Sequence, residues 1–203
     1  MHAMDQLERQ LIDIVRADPD LIRILAGLRH LALPDSWLVS GAIYQTVWNC
    51  LTGRPRRTGI KDYDLIYFDA ADLSWEAEDR QIRRAEAHFA DTGLPVELRN
   101  QARVHLWFEA RFGTPHGPAL TSSLQSLDRY ASRVHAVAIA PGPIAPGFDA
   151  AGGDAVIVRA PFGLDDLFAM RIRPNRAIDN RATHAAKAAR MRAIWPELTV
   201  EPW

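Results

Sequence analysis

The chain has 203 residues and a formal net charge of −1 at pH 7, with 24% charged and 48% hydrophobic side chains, an ordinary balance for a soluble globular protein. That length buries a substantial core, and no apolar run reaches the ~20 residues of a membrane span. The one cysteine, Cys50, excludes an internal disulfide and suits the cytoplasm; among apolar neighbours, it reads as core. The opening Met1-His2-Ala3-Met4-Asp5 has neither a basic n-region nor an apolar h-region, so no secretory leader is expected. None of this separates an enzyme from a binding module.

Leu7, Leu11, Ile14 and Val15 make a helical stripe over Asp5 to Ala17. Asp18-Pro19 then caps a second helix that runs towards Pro34. Trp37-Leu38-Val39 is a short strand, followed by Ser40-Gly41-Ala42 and a helix with Ile43, Val47, Trp48 and Leu51 on one face and Gly53 past its end. A strand, a glycine turn and a helix can receive phosphate, because the glycine admits close approach and the helix N-terminus offers free N–H groups. Many α/β turns contain a glycine, so this pattern alone is weak. Arg54-Pro55-Arg56-Arg57-Thr58-Gly59 is a cationic loop that could clamp a triphosphate or could neutralise nearby acids.

The next stretch, Lys61-Asp62-Tyr63-Asp64-Leu65-Ile66-Tyr67-Phe68, reads as a strand. Its alternation puts Asp62 and Asp64 on one face, about 6.6 Å apart. Two carboxylates at the start of an apolar strand repel and resist desolvation. A bound cation would compensate them; Lys61 or a nearby arginine would do the same. Ile66 and Phe68 share their face, so the C-terminal half is expected to cover it and form one wall of a cleft.

A helix follows from Ser74 or Asp72 to about Asp91, with Trp75, Ile82, Ala85 and Phe89 inward and Glu76, Glu78 and the arginines towards water. Val96 to Arg99 is a second strand carrying Glu97. Arg103 to Phe112 reads as a helix with Leu106, Trp107 and Ala110 inward. A helix from Ser123 to Ser132, a strand from Val134 to Ile139, a loop from Pro141 to Gly153 and a strand from Asp154 to Arg159 come next, the two strands forming a hairpin. After a capped turn near Asp165, a basic helix runs from about Asn180 to Trp195. Seven Lys or Arg side chains face Asp179 alone between Arg171 and Arg192. That segment either closes over a polyanion or is a solvated face paired with an acidic body.

The order of Gly41 turn, helix, Asp62-Tyr63-Asp64 strand and Glu97 on the following strand resembles the DNA polymerase β-like nucleotidyltransferase superfamily. The run from Gly41 through Leu51, Gly53, Arg54 and Asp62-Tyr63-Asp64-Leu65 looks most like the polymerases that add to RNA 3′ ends. Thr46-Val47-Trp48-Asn49, Asn100 to Trp107, Pro161 to Phe168 and Lys187-Ala188-Ala189-Arg190 are similar to an uncharacterised family of bacterial nucleotidyltransferase-like proteins. The departures are Ala42, where a serine or second glycine is usual, and Tyr44-Gln45, where the RNA-end polymerases carry Arg-Asp.

The resemblance implies an α+β fold, a small mixed sheet flanked by helices. Residues 1–100 would form the nucleotidyltransferase-like core, and residues 101–203 would pack on it and cover the cleft. It implies transfer of a nucleoside monophosphate from an NTP to a hydroxyl of RNA, protein or a small molecule, with pyrophosphate released. Asp62, Asp64 and Glu97 would be the catalytic residues and the ligands of Mg²⁺ or Mn²⁺, Glu97 also helping to deprotonate the acceptor. Ser40, Gly41, Arg54, Arg57, Lys187 and Arg190 would bind phosphates. The alternative is a nucleotide- or nucleic-acid-binding protein on the same fold that no longer turns over; a third reading is an interaction protein whose acidic pair is incidental.

Overall fold

The computed structural model describes residues 3–113, 115–143 and 155–203. Helices α1 (Ala3–Ala17) and α2 (Pro19–Leu31) lead into strand β1 (Trp37–Val39) and helix α3 (Gly41–Thr52). Asp18 caps α2, its carboxylate accepting from the N–H groups of Asp20 and Leu21, and Gly53 ends α3 in the left-handed conformation. Strand β2 (Tyr63–Tyr67), helix α4 (Trp75–Phe89) and strand β3 (Val96–Asn100) form a parallel crossover unit. Helix α5 (Val104–Phe112) follows, then two 3-10 turns, then strands β4 (Ala138–Pro141) and β5 (Val156–Arg159). The chain ends with helix α6 (Asp165–Phe168), β6 (Arg171–Ile172), α7 (Arg181–Ile194) and β7 (Thr199–Val200).

The five long-range strands make one mixed sheet in the order β3-β2-β1-β4-β5, antiparallel except between β2 and β3. This is the helix-flanked α+β architecture expected. The hairpin of β4 and β5 pairs directly with β1, so the second half of the chain extends the same sheet. Register sorts the side chains into two faces. Leu38, Leu65, Leu98, Ile139 and Val158 stand in one row across all five strands, in the large core shared with α1 to α4. On the other face, Trp37, Val39, Ile66, Ala138 and Ala140 pack with Leu127 and Ala136 in a smaller core. Leu127 belongs to the 3-10 turn Leu124–Arg129, so the C-terminal half does cover Ile66 on this face.

Several expectations need correction. Cys50 is exposed, because it lies on the outer side of α3. Trp75 is 55% exposed while Glu78 is buried, the reverse of the stripe read from sequence. Glu78 is inward because it ion-pairs with buried Arg103 and accepts the Asn100 N–H at 2.8 Å. Leu106 is also exposed and α5 buries none of its residues. The expected helix over 123–132 is a 3-10 turn, and residues 133–135 are another, with the strand starting only at Ala138. Most of the loop expected over 141–153 lies outside the described residues. Among the described residues no helix is long and apolar enough to cross a membrane.

Candidate active site

Strand register brings two of the three acidic positions side by side. Asp64 on β2 is the direct partner of Glu97 on β3, which places their α-carbons about 4.8 Å apart. The row continues through Val39, Ala138 and Arg159. Asp62 lies one residue before β2, at its open end. All three sit where the smaller core runs out, so that face is polar at one end and apolar at the other.

The electrostatics of Asp64 report this crowding. Burial, then the charges of Asp62 and Glu97, push its carboxyl up to about 6; Lys187 and Arg99 pull the other way. Lys187 comes from α7 and is itself lowered by burial and by Arg190, against the pull of Asp64 and Asp62. A long-range fold contact therefore carries a cation to the acidic pair. Arg190, one turn further on, hydrogen-bonds the Tyr44 hydroxyl. The hydroxyl also lies 3.8 Å from the Met191 sulfur, and burial raises it to about 12.

Ser40 and Gly41 lie at the mouth of α3. Ser40 holds φ 59° and ψ −111°, a left-handed backbone that a serine occupies at a cost. It is locked by its N–H to the Val137 carbonyl at 2.8 Å, and its own carbonyl accepts from Ile43 and Tyr44 at 3.0 and 3.2 Å. The first-turn N–H groups of Gly41 and Ala42 have no intrahelical acceptor. A methyl group on Gly41 would meet only Gln45 Nε2, at 3.2 Å, so the approach to this turn is otherwise clear.

The structure thus brings Ser40, Gly41, Asp62, Asp64, Glu97, Lys187 and Arg190 to one end of the sheet and leaves Arg54 and Arg57 out. Arg54 makes a two-pronged pair with Glu197 at 2.8 and 3.1 Å. Arg57 grips the buried Asp20 in the same way at 2.7 and 2.8 Å, holding that carboxyl below its usual range, with Arg56 3.5 Å away. These pairs fasten the loop to α2 and to the C-terminal segment. The Glu97 carboxylate is also turned aside, 3.4 Å from Arg99. Among the described residues no three Asp, Glu, His or Cys side chains are set to hold a metal ion. A cavity of about 190 Å³ between α1 and β5 is lined by Glu8, Val158 and Leu164 and by none of these acids.

Sequence reasoning passed over Arg99 and His135. Arg99 is two residues from Glu97 on the same strand face, so alternation alone placed it there. His135 had no such signal, since it enters from a turn far along the chain.

A family model described as nucleotidyltransferase matches residues 26–200. The chain belongs to this nucleotidyltransferase family. No curated protein matches it. A solved structure, described as an NMR structure that reveals a CCA-adding enzyme head domain, aligns over 96% of each chain with TM-score 0.72 and 23% identity. At that identity the likeness is one of fold. Family and fold together support nucleotidyl transfer as the general activity.

Proposed function

We propose that the protein transfers a nucleoside monophosphate from an NTP to a hydroxyl acceptor, in the cytoplasm, using Asp62, Asp64 and Glu97. The observation that carries this reading is the register that sets Asp64 directly beside Glu97, with Asp62 one residue before the strand; burial and the other two acids raise the Asp64 carboxyl there. Enzymes hold such crowded charges where function needs them.

In the proposed reaction the acceptor oxygen bonds to the α-phosphorus, the bond to the bridging oxygen breaks, and pyrophosphate leaves with that electron pair. The acceptor's proton passes to a carboxylate. Glu97, with its side chain 54% exposed beside Asp64, can take that proton and release it to water. Gly41 and Ala42, in the first turn of α3, receive phosphate oxygens through their backbone N–H groups, and Ser40, whose own N–H is held by Val137, offers its hydroxyl. Lys187 and Arg190 neutralise the polyphosphate from the other side.

Mg²⁺ or Mn²⁺ suits the oxygen donors Asp62 and Asp64, and the repulsion at Asp64 is what a cation would relieve. Glu97 fits as a third ligand once it turns from Arg99. Bound there, the ions would stabilise the charge on the attacking and leaving oxygens.

The test is pyrophosphate release from each labelled NTP with Mg²⁺ or Mn²⁺, with RNA, protein and small hydroxyl compounds as acceptors. Release that Asp64→Ala abolishes supports transfer. Nucleotide binding with no release in any combination supports the binding-only alternative, and no effect of nucleotide or metal on melting refutes both.

A further inference from the structure

Behind the carboxylates lies a polar cluster that the transfer reading leaves unused. His135 ends the 3-10 turn Arg133–His135 and is fully buried. Neither ring nitrogen has a hydrogen-bond partner among the described residues. Buried polar groups are nearly always paired, so an unmet imidazole asks for a ligand. Its neighbour His184 is already satisfied, by Ser132 Oγ at 2.8 Å and by the Glu201 carbonyl at 2.9 Å.

The His135 ring packs at a tilt against Tyr44, with centroids 4.9 Å apart and planes inclined by 31°. Tyr44 is the fourth residue of α3, three positions after Gly41, and its hydroxyl meets Arg190. The charged or titratable groups acting on His135 are Lys187, His184 and Arg190. Burial, followed by those cations, holds the imidazole well below its ordinary pKa, so the ring is neutral and carries one N–H. An N–H, a hydroxyl and two cations thus gather behind the acidic row, with Asp64 and Asp62 acting on Tyr44 and Lys187 from its near side.

We propose that His135 and Tyr44 bind the terminal phosphates of the NTP, His135 through its ring N–H and Tyr44 through its hydroxyl, and so select a triphosphate over a monophosphate. Arg190, which is exposed, moves aside to admit the phosphates and then closes on them. This rests on the transfer reading and adds the residues that measure the length of the phosphate chain.

Isothermal titration with inorganic tripolyphosphate tests it in the wild type, His135→Phe and Tyr44→Phe. Each variant is expected to bind about tenfold more weakly, equivalent to about 1.4 kcal/mol, with affinity for a nucleoside monophosphate unchanged. An unchanged tripolyphosphate affinity in either variant overturns the proposal, and so does an equal loss for the monophosphate. Tyr44→Phe keeps the ring and its packing, so it decides the matter if His135→Phe fails to fold. Wild-type protein that neither binds tripolyphosphate nor releases pyrophosphate overturns this proposal and the transfer reading together. Intact transfer with unchanged variant affinities overturns this one alone.

Discussion

Replacing Asp64 with asparagine is expected to stabilise the metal-free protein near neutral pH while removing activity. The native carboxyl sits at about 6 against an ordinary 3.8. At about 1.4 kcal/mol for each factor of ten, that gap corresponds to about 3 kcal/mol. The native pKa lies above the unfolded one, so the native state holds its proton longer as pH rises. Stability is therefore lost between roughly pH 4 and pH 6, and the loss is complete above 6. The asparagine amide has no charge to bury. Lys187 would forfeit its attraction to the carboxylate, so about 3 kcal/mol is a ceiling. At 2–4 °C per kcal/mol for a chain this long, the ceiling on Tm is roughly 6–12 °C. Calorimetric melting with EDTA at pH 7.5 and pH 4 measures it. Asp64→Asn should melt higher at pH 7.5, and most of the difference should vanish by pH 4, where the native carboxyl is protonated. A variant that melts no higher at pH 7.5, or a difference equal at both pH values, refutes the crowding of charge at this position.

Glu78→Ala strands the buried Arg103 guanidinium and should cost about 3–5 kcal/mol by urea unfolding; the double change Glu78→Leu with Arg103→Met should recover most of it. Gly59 has φ +77°, and a Cβ there would lie 2.5 Å from Trp195, so Gly59→Ala should cost more than about 1 kcal/mol in the same assay. Arg57→Ala should lower Tm through the loss of its grip on Asp20, and the effect should fade in acid as the native carboxyl protonates. Its affinity for NTP, measured by titration, should stay at the wild-type value. Lys187→Met should weaken NTP binding, because it removes the cation that faces Asp64 and Asp62.

The helices and strands up to Glu97 were legible because their signals are local. Asp18-Pro19 caps a helix by its own side chain, Gly53 ends one by its own conformation, and the alternation of β2 sets Asp64 on a face without reference to anything distant. What failed was decided by partners far away in sequence. Glu78 looks solvated beside Glu76 and Arg80, and Arg103, 25 residues later, turns it inward together with the Asn100 N–H. Arg57 looks like a phosphate clamp because it precedes the aspartates, but Asp20 holds it on the far side. Lys187 and Arg190 were readable as a pair on one helix face, and their motif tied them to the site without giving a path there. His135 was placed in a strand, since nothing near it marks a 3-10 turn.

The closure of α7 over α3 means that the two sides of the site are made at different times. Tyr44 meets Met191 across 147 positions, and Asn49 meets Trp195 across 146. At a ribosomal pace of about 5–20 residues per second, Asp64 emerges roughly 6–25 s before Lys187 does. Through that interval the nascent chain lacks the Lys187 cation beside its acids and holds an open aromatic seam at Trp48. Residues 181–195 then act as the closing piece, so the protein gains its opposing charges and its last buried tryptophan in one late step.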